Sequence, residues 1–257
     1  MNSGIDNKFG GRTVIVTGAG QGLGRAYAKR FATLGASVAV VDINGDNAKR
    51  VTHEIENMGG RATAIATDIT QPTATDDMVS SVLKEFGQIH VLVNNAAMSS
   101  VLGRQPFTEI SFEEWQRVLS VNITGTYLCA RSVTPVMKAN GWGRIINISS
   151  TTVIMGRINM LHYVASKAAV IGMTRSMARE LGAFGITVNV LLPGLTPTEV
   201  GNDGITTQGM RFIKEMQCIP RQEVPEDLTE AVVFLASEGA GFVTGQSLAV
   251  DGGAVHV

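Results

Sequence analysis

Cysteine is nearly absent, with only Cys129 and Cys218 far apart in the chain and no CxxC spacing. Two thiols cannot build the disulfide framework of a small secreted domain, so buried free thiols in a reducing compartment are expected, with a single disulfide between them as the alternative. An excess of either charge is also missing, since 21 basic and 22 acidic residues leave a net charge of −1 with no local Lys/Arg cluster. That balance excludes the electrostatic surplus on which nucleic-acid binding rests. No uninterrupted apolar run is long enough to span a bilayer, so no membrane partner is expected. The opening MNSGIDNKFGGR lacks the apolar centre of a signal peptide, and a soluble, cytoplasmic protein is the expectation. The histidines, His53, His90, His162 and His256, form no HxH or HExxH pattern, so no catalytic metal is expected. Ser150 is not in a G-x-S-x-G elbow, which argues against a Ser-His-Asp hydrolase. Aromatic residues reach only 5%, too few for an aromatic-lined β-sandwich.

Glycine, in contrast, is abundant at 29 residues, and 44% of the 257 residues are hydrophobic. The length fits one large α/β domain with a sizeable core. Apolar runs of strand length alternate with segments of helical period. The runs are 13–17 (TVIVT), 37–42 (SVAVVD), 62–67, 89–94 (IHVLVN), 144–149 (RIINIS) and 186–191 (ITVNVL), with 247–250 expected to close the series. Continuous apolar runs indicate strands covered on both faces. Helices between successive strands require parallel pairing. The expected fold is a single-domain, doubly wound α/β structure, mostly parallel, with helices on both faces. Two stretches break the rhythm. Residues 195–216 read as a long irregular insertion at a strand's carboxyl end, where a substrate lid would lie, and 95–107 is a shorter loop in the equivalent place.

The first strand runs into Thr17-Gly18-Ala19-Gly20-Gln21-Gly22-Leu23-Gly24. Leu23 stands where a G-x-G-x-x-G pattern begun at Gly18 needs glycine, yet the turn serves the same physics. Without Cβ atoms the backbone can approach a pyrophosphate, whose charge suits the free N–H groups of a helix start. Asp42 closes the second strand near the spacing of a ribose-binding acid. A carboxylate there accepts from the 2′- and 3′-hydroxyls and repels a 2′-phosphate, and Ile43 follows it instead of Arg or Lys. NAD is therefore expected over NADP.

Tyr163 and Lys167 lie four residues apart in a helical segment, so both tips share one face. A phenol is a poor base near neutrality, and a neighbouring ammonium lowers its pKa. Ser149 and Ser150 follow the fifth strand at its carboxyl end. Asn122, in Val121-Asn122-Ile123, sits inside an expected helix where Asn is not a favoured former, which implies a packing or functional reason.

With turn, acid, Tyr, Lys and Ser in order, the sequence resembles the short-chain dehydrogenase/reductase family, whose fold is of the Rossmann type. The resemblance covers the chain after about Arg12 and rests on TGAGQGLG at 17–24, Asp68 with Ile69, NNAA at 94–97, Asn122, Ser150, Tyr163-x-x-x-Lys167 and Pro193-Gly194. The family's Ser-to-Tyr separation selects Ser150 over Ser149. What the resemblance implies is a concerted mechanism. Tyr163 exchanges a proton with the substrate oxygen, Ser150 polarises that oxygen, Lys167 lowers the Tyr163 pKa and holds the nicotinamide ribose, and Asn122 positions a water. By the same resemblance, Gly18, Gln21, Gly22, Leu23, Asp42, Pro193 and Gly194 bind cofactor, Asp68 and Ile69 flank the adenine, Asn95 lines the cleft, and Thr196 and Thr198 approach the carboxamide and phosphates.

Two departures stand out. Ala97 replaces the glycine of the family's NNAG, which would bring strain if that position needs positive φ. Thr196 stands where an aliphatic residue is frequent. Within the family, 141–152 and 219–237 are similar to 1-phenylethanol dehydrogenases, and the TGQ…VD…V-H tail is similar to pyridoxal 4-dehydrogenases. Both groups use NAD on alcohols beside an aromatic ring. The resemblance therefore implies NAD-dependent exchange between a small secondary alcohol and its ketone, with an apolar or aryl substituent, in a homotetramer. A 3-oxoacyl-thioester reductase and a catalytically idle NAD-binding module are the alternatives. Candidate pocket residues are Val101, Met155, Met160, Leu161, Met210 and Phe212; Met and Leu at such positions commonly pack in cores.

Overall fold

The computed structural model describes residues 7–99, 104–200 and 207–256. Seven strands form one parallel sheet: β1 (Thr13–Thr17), β2 (Ser37–Asp42), β3 (Arg61–Ala66), β4 (Val91–Asn94), β5 (Gly143–Ile148), β6 (Ile186–Pro193) and β7 (Ser247–Val250). Their order is β3-β2-β1-β4-β5-β6-β7. β1, β4, β5 and β6 are buried along their whole length, as continuous apolar runs require. The two edge strands, β3 and β7, are only partly covered.

The side-chain period of two splits the sheet's residues between two cores. Val14, Val16, Val38, Val40 and Ile146 face one side, against α1 (Gly22–Thr33), α2 (Gly45–Asn57) and α9 (Pro225–Ala236). Ile15, Ala39, Leu92, Ile145 and Val188 face the other, against α3 (Pro72–Phe86), α5 (Thr126–Asn140) and α7 (Leu161–Leu181). Because the chain winds outward from β1 in one direction and from β4 in the other, a crevice opens beyond the carboxyl ends of these strands.

Three features differ from expectation. The segment through Met216 is not irregular throughout, since α8 occupies Thr207–Met216; residues 201–206 of the expected lid lie outside the described residues. Asn122 does lie in helical backbone, but between α4 (Phe112–Leu119) and α5 that backbone is a π-helical turn over Ser120–Gly125. Such turns re-aim groups at functional sites. Cys129 is buried and Cys218 exposed, and both thiols are free. Cys218 follows α8 and lies against the backbone of Gly253 near the surface, so it escapes the core that encloses Cys129. The short helix α6 (Thr152–Met155) precedes α7.

Candidate active site

A cavity of about 750 Å³ fills the crevice and reaches from Asp42 at the end of β2 to Tyr163 on α7. Its floor is the glycine turn. Gly18 has φ +61° and Gly22 φ +56°, left-handed conformations that favour glycine. A Cβ at Gly18 would stand 2.8 Å from the Ala96 Cα, so the turn also needs glycine for space. Asn95 lines the cavity, but its amide is committed to this floor, donating to the Thr17 and Gly18 carbonyls at 3.0 and 3.1 Å. Asp42 is similarly double in use. Its two oxygens accept from the Gly20 and Asn44 N–H groups, each at 2.9 Å, and an ionised carboxylate keeps further lone pairs for hydroxyl donors.

Gly18, Gln21, Gly22, Leu23, Asp42, Asp68, Ile69, Asn95, Ser150, Tyr163, Lys167, Pro193, Gly194, Thr196 and Thr198 all line this one cavity. Asn122 stands behind it, 1% exposed. Its Oδ1 accepts from the Met98 N–H at 2.8 Å, and its Nδ2 donates to the Met98 carbonyl and to the Ser166 Oγ at 3.2 and 2.9 Å. The side chain therefore ties the loop after β4 to α7.

The two serines are separated by their partners. Ser149 Oγ donates to the Lys167 carbonyl at 2.8 Å and is consumed by structure, whereas Ser150 faces the Tyr163 phenol. Lys167 Nζ donates to the Ile148 carbonyl at 2.8 Å and lies 5.8 Å from the Tyr163 ring centre. Burial acts on the charge of both groups. Burial pushes the Tyr163 pKa up from its ordinary 10, and the Ser99 and Ser150 hydroxyls pull it only partly back. Burial also pushes Lys167 down to about 8. Burial thus opposes the charged form of both groups, and for the phenol that favours the neutral form.

Of the candidate pocket residues, Met155 and Met160 line the cavity, while Leu161, Met210 and Phe212 do not. These three are exposed, at 45%, 36% and 62%. On α8 it is Ile213 that turns inward, because neighbours on a helix point about 100° apart. Val101 lies outside the described residues. The feared strain at Ala97 is absent, since Asn159 is the only non-glycine residue with positive φ among those described.

Sequence reasoning missed four polar groups. Ser99 faces the phenol from the loop after β4. Glu199 accepts from the Gly22 N–H at 3.1 Å, so a carboxylate sits on the N-terminus of α1. Glu223, just before α9 and 4% exposed, accepts from the Thr196 hydroxyl at 2.5 Å. Burial and then the neighbouring Asp251 and Asp227 push the Glu223 carboxyl up to about 7. Glu114 on α4 meets the Nε2 of the fully buried His162 at 2.8 Å, and the Nδ1 of that ring accepts from the Tyr163 N–H at 2.9 Å. Since Nδ1 accepts, Nε2 carries the proton and donates to Glu114. Contacts between residues so distant in sequence leave no local pattern.

Fold and site together define an oxidoreductase, and the comparisons agree. The family model described as enoyl-(acyl carrier protein) reductase matches residues 18–255. The chain belongs to the short-chain dehydrogenase/reductase family. It is 37% identical to the (2S)-[(R)-hydroxy(phenyl)methyl]succinyl-CoA dehydrogenase subunit BbsD of Thauera aromatica, over 94% of this chain and 96% of that protein. A 7α-hydroxysteroid dehydrogenase solved with NADH and 7-oxoglycochenodeoxycholic acid superposes with a TM-score of 0.92 at 36% identity, covering 100% of this chain and 99% of that one. A 3-ketoacyl-(acyl-carrier-protein) reductase of Brucella melitensis, solved with NADH, superposes with a TM-score of 0.88 at 36% identity, covering 96% and 99%. Among the described residues no helix is long and apolar enough to cross a membrane, and no cluster suits a metal ion.

Proposed function

We propose that this enzyme is an NAD-dependent dehydrogenase that interconverts a small secondary alcohol, bearing an apolar or aryl substituent, and its ketone. The observation that carries the reading is the Tyr163 hydroxyl, buried in the cavity wall with Ser150 facing it and Lys167 on the same helix face. The cavity fits the cofactor: its floor is glycine backbone, and Asp42 offers a carboxylate at the end of β2. Bound NAD supplies the hydride acceptor in oxidation and, reduced, the donor in the reverse direction. Gly18, Gln21, Gly22 and Leu23 hold the pyrophosphate, Asp42 the adenosine ribose, Asp68 and Ile69 the adenine, and Pro193, Gly194, Thr196 and Thr198 the nicotinamide end together with Asn95.

Ser150 donates to the substrate oxygen and Tyr163 exchanges a proton with it, while Lys167 holds the ribose and Asn122 positions the proton path behind it. A phenol kept neutral by burial is ready to donate to a carbonyl, whereas alcohol oxidation needs the phenolate. Oxidation should therefore accelerate as pH rises and reduction slow. The aryl preference is supported by the hydroxy(phenyl)methyl group named for the Thauera relative. A 3-oxoacyl-thioester reductase is a second reading. The use of NADH does not exclude it, because the Brucella reductase was solved with that coenzyme. Absorbance at 340 nm with NAD and a panel of secondary alcohols, alongside NADH with 3-oxoacyl thioesters, separates the two. Binding of NAD without turnover of any substrate would overturn both in favour of an idle module.

We further infer a cytoplasmic homotetramer. The exposed Phe112 and Tyr127 on α4 and α5, and Phe242 ahead of β7, offer apolar surface for such contacts, and light scattering measures the mass.

A further inference from the structure

Three arginines from three different elements line the one cavity: Arg104 in the loop before α4, Arg117 on α4, and Arg157 between α6 and α7. Several other cations in this chain have counter-charges. Arg25 pairs with Glu54, Arg50 with Glu54, and Arg221 with Asp227. Arg104, Arg117 and Arg157 have no carboxylate within 4 Å among the described residues. The acidic residues of the cavity wall do not compensate. Asp42 ends β2 on the floor, Asp68 accepts from Thr70, and Asp251 accepts from the Gly253, Ala254 and Val255 N–H groups. Arg157 is half-buried, and its guanidinium is held below the ordinary range by burial and then by the charge of Arg104. Like charges thus converge at the cavity, in a chain whose net charge is −1.

Unpaired, this cluster is unfavourable, because Arg104 opposes Arg157 and burial adds a desolvation cost for Arg157. An anion entering the cavity relieves both. The guanidinium fork suits the paired oxygens of a carboxylate or phosphate. The wall shared with the cluster is apolar, from Met98, Met155 and Met160, and Met98 and Met160 pack on Tyr163. We infer that the substrate alcohol carries a carboxylate or phosphate at the end away from the reacting carbon, and that Arg104, Arg117 and Arg157 select it. This inference rests on the dehydrogenase reading above and names the substrate class for it: an apolar body with a secondary alcohol at one end and an anion at the other.

The test compares kcat/KM for 1-phenylethanol, 4-(1-hydroxyethyl)benzoate and 4-(1-hydroxyethyl)phenyl phosphate, in the wild type and in the R104Q/R117Q/R157Q variant. Exposed ion pairs are individually weak, so the three together should favour the better anionic alcohol by roughly tenfold or more over the neutral one. That ratio should collapse towards one in the variant and fall in 0.5 M salt, while NADH affinity stays unchanged. Whichever anion shows the larger arginine-dependent ratio is the one the cluster takes. A ratio near one in the wild type, or one untouched by the triple substitution, overturns the inference. If no alcohol is turned over, the dehydrogenase reading fails separately, and calorimetry with 4-acetylbenzoate and acetophenone decides the anion question. Tighter, arginine-dependent binding of the benzoate upholds the anion site, and equal binding of the two overturns it.

Discussion

Replacing Glu223 by Gln should stabilise the protein at alkaline pH relative to acid pH, by an amount that the site's geometry sets. The carboxyl is 4% exposed, its Oε2 has no hydrogen-bond partner, and burial raises it from an ordinary 4.5 to about 7. A carboxyl whose folded pKa lies above its unfolded value binds more protons in the native state. It costs nothing below pH 4.5, and its penalty grows as pH rises to about 7 and stays constant beyond. At about 1.4 kcal/mol per pH unit, that interval amounts to about 3 kcal/mol, a large share of the roughly 5–15 kcal/mol that holds a protein folded. Gln keeps an acceptor for the Thr196 hydroxyl and never ionises. The stability difference between Glu223→Gln and wild type should therefore widen by about 3 kcal/mol from pH 4.5 to 8, whatever fixed offset the amide introduces. Followed by circular dichroism, this is a gain of roughly 2–4 °C in Tm per kcal/mol. A difference between the two proteins that stays constant across that range would refute a neutral, strained carboxyl behind Thr196.

Other substitutions probe the cofactor and the catalytic helix. Asp42→Ala should weaken NADH binding and relax discrimination against NADPH, measured by fluorescence titration; an unchanged preference would remove Asp42 from the ribose site. Glu199→Gln should tighten NADH about two- to fivefold, because a carboxylate no longer competes with the pyrophosphate for the N-terminus of α1; weaker binding would contradict that contact. His162→Ala strips the Tyr163 N–H of its acceptor and should cost about 1–3 kcal/mol in urea unfolding. It should also lower kcat with NADH affinity intact, and a fully active variant would show that α7 needs no such pin.

Much of the fold was legible because burial on both faces writes strands as unbroken apolar runs, and Val14–Val16 or Val38–Val41 could hardly be read otherwise. The glycine turn, Asp42, Ser150, Tyr163 and Lys167 were legible because each follows a strand's carboxyl end or shares a helix face. What escaped depends on three-dimensional surroundings. The burial that raises the Tyr163 pKa is invisible to i, i+4 spacing. Leu161, Met210 and Phe212 were misjudged because apolar character does not tell which helix face turns inward. Glu223 and Thr196 meet across 27 positions, and nothing local in either segment announces the pair.

In the proposed reaction the hydroxyl of Tyr163 is the proton carrier. Tyr163→Phe removes a single oxygen from a side chain already 9% exposed, leaving shape and packing nearly intact. NADH titration and turnover at 340 nm, on the same preparation, should give wild-type affinity for the coenzyme and no measurable oxidation of any alcohol that the wild type accepts. Turnover retained in Tyr163→Phe alongside normal NADH binding would contradict the assignment outright.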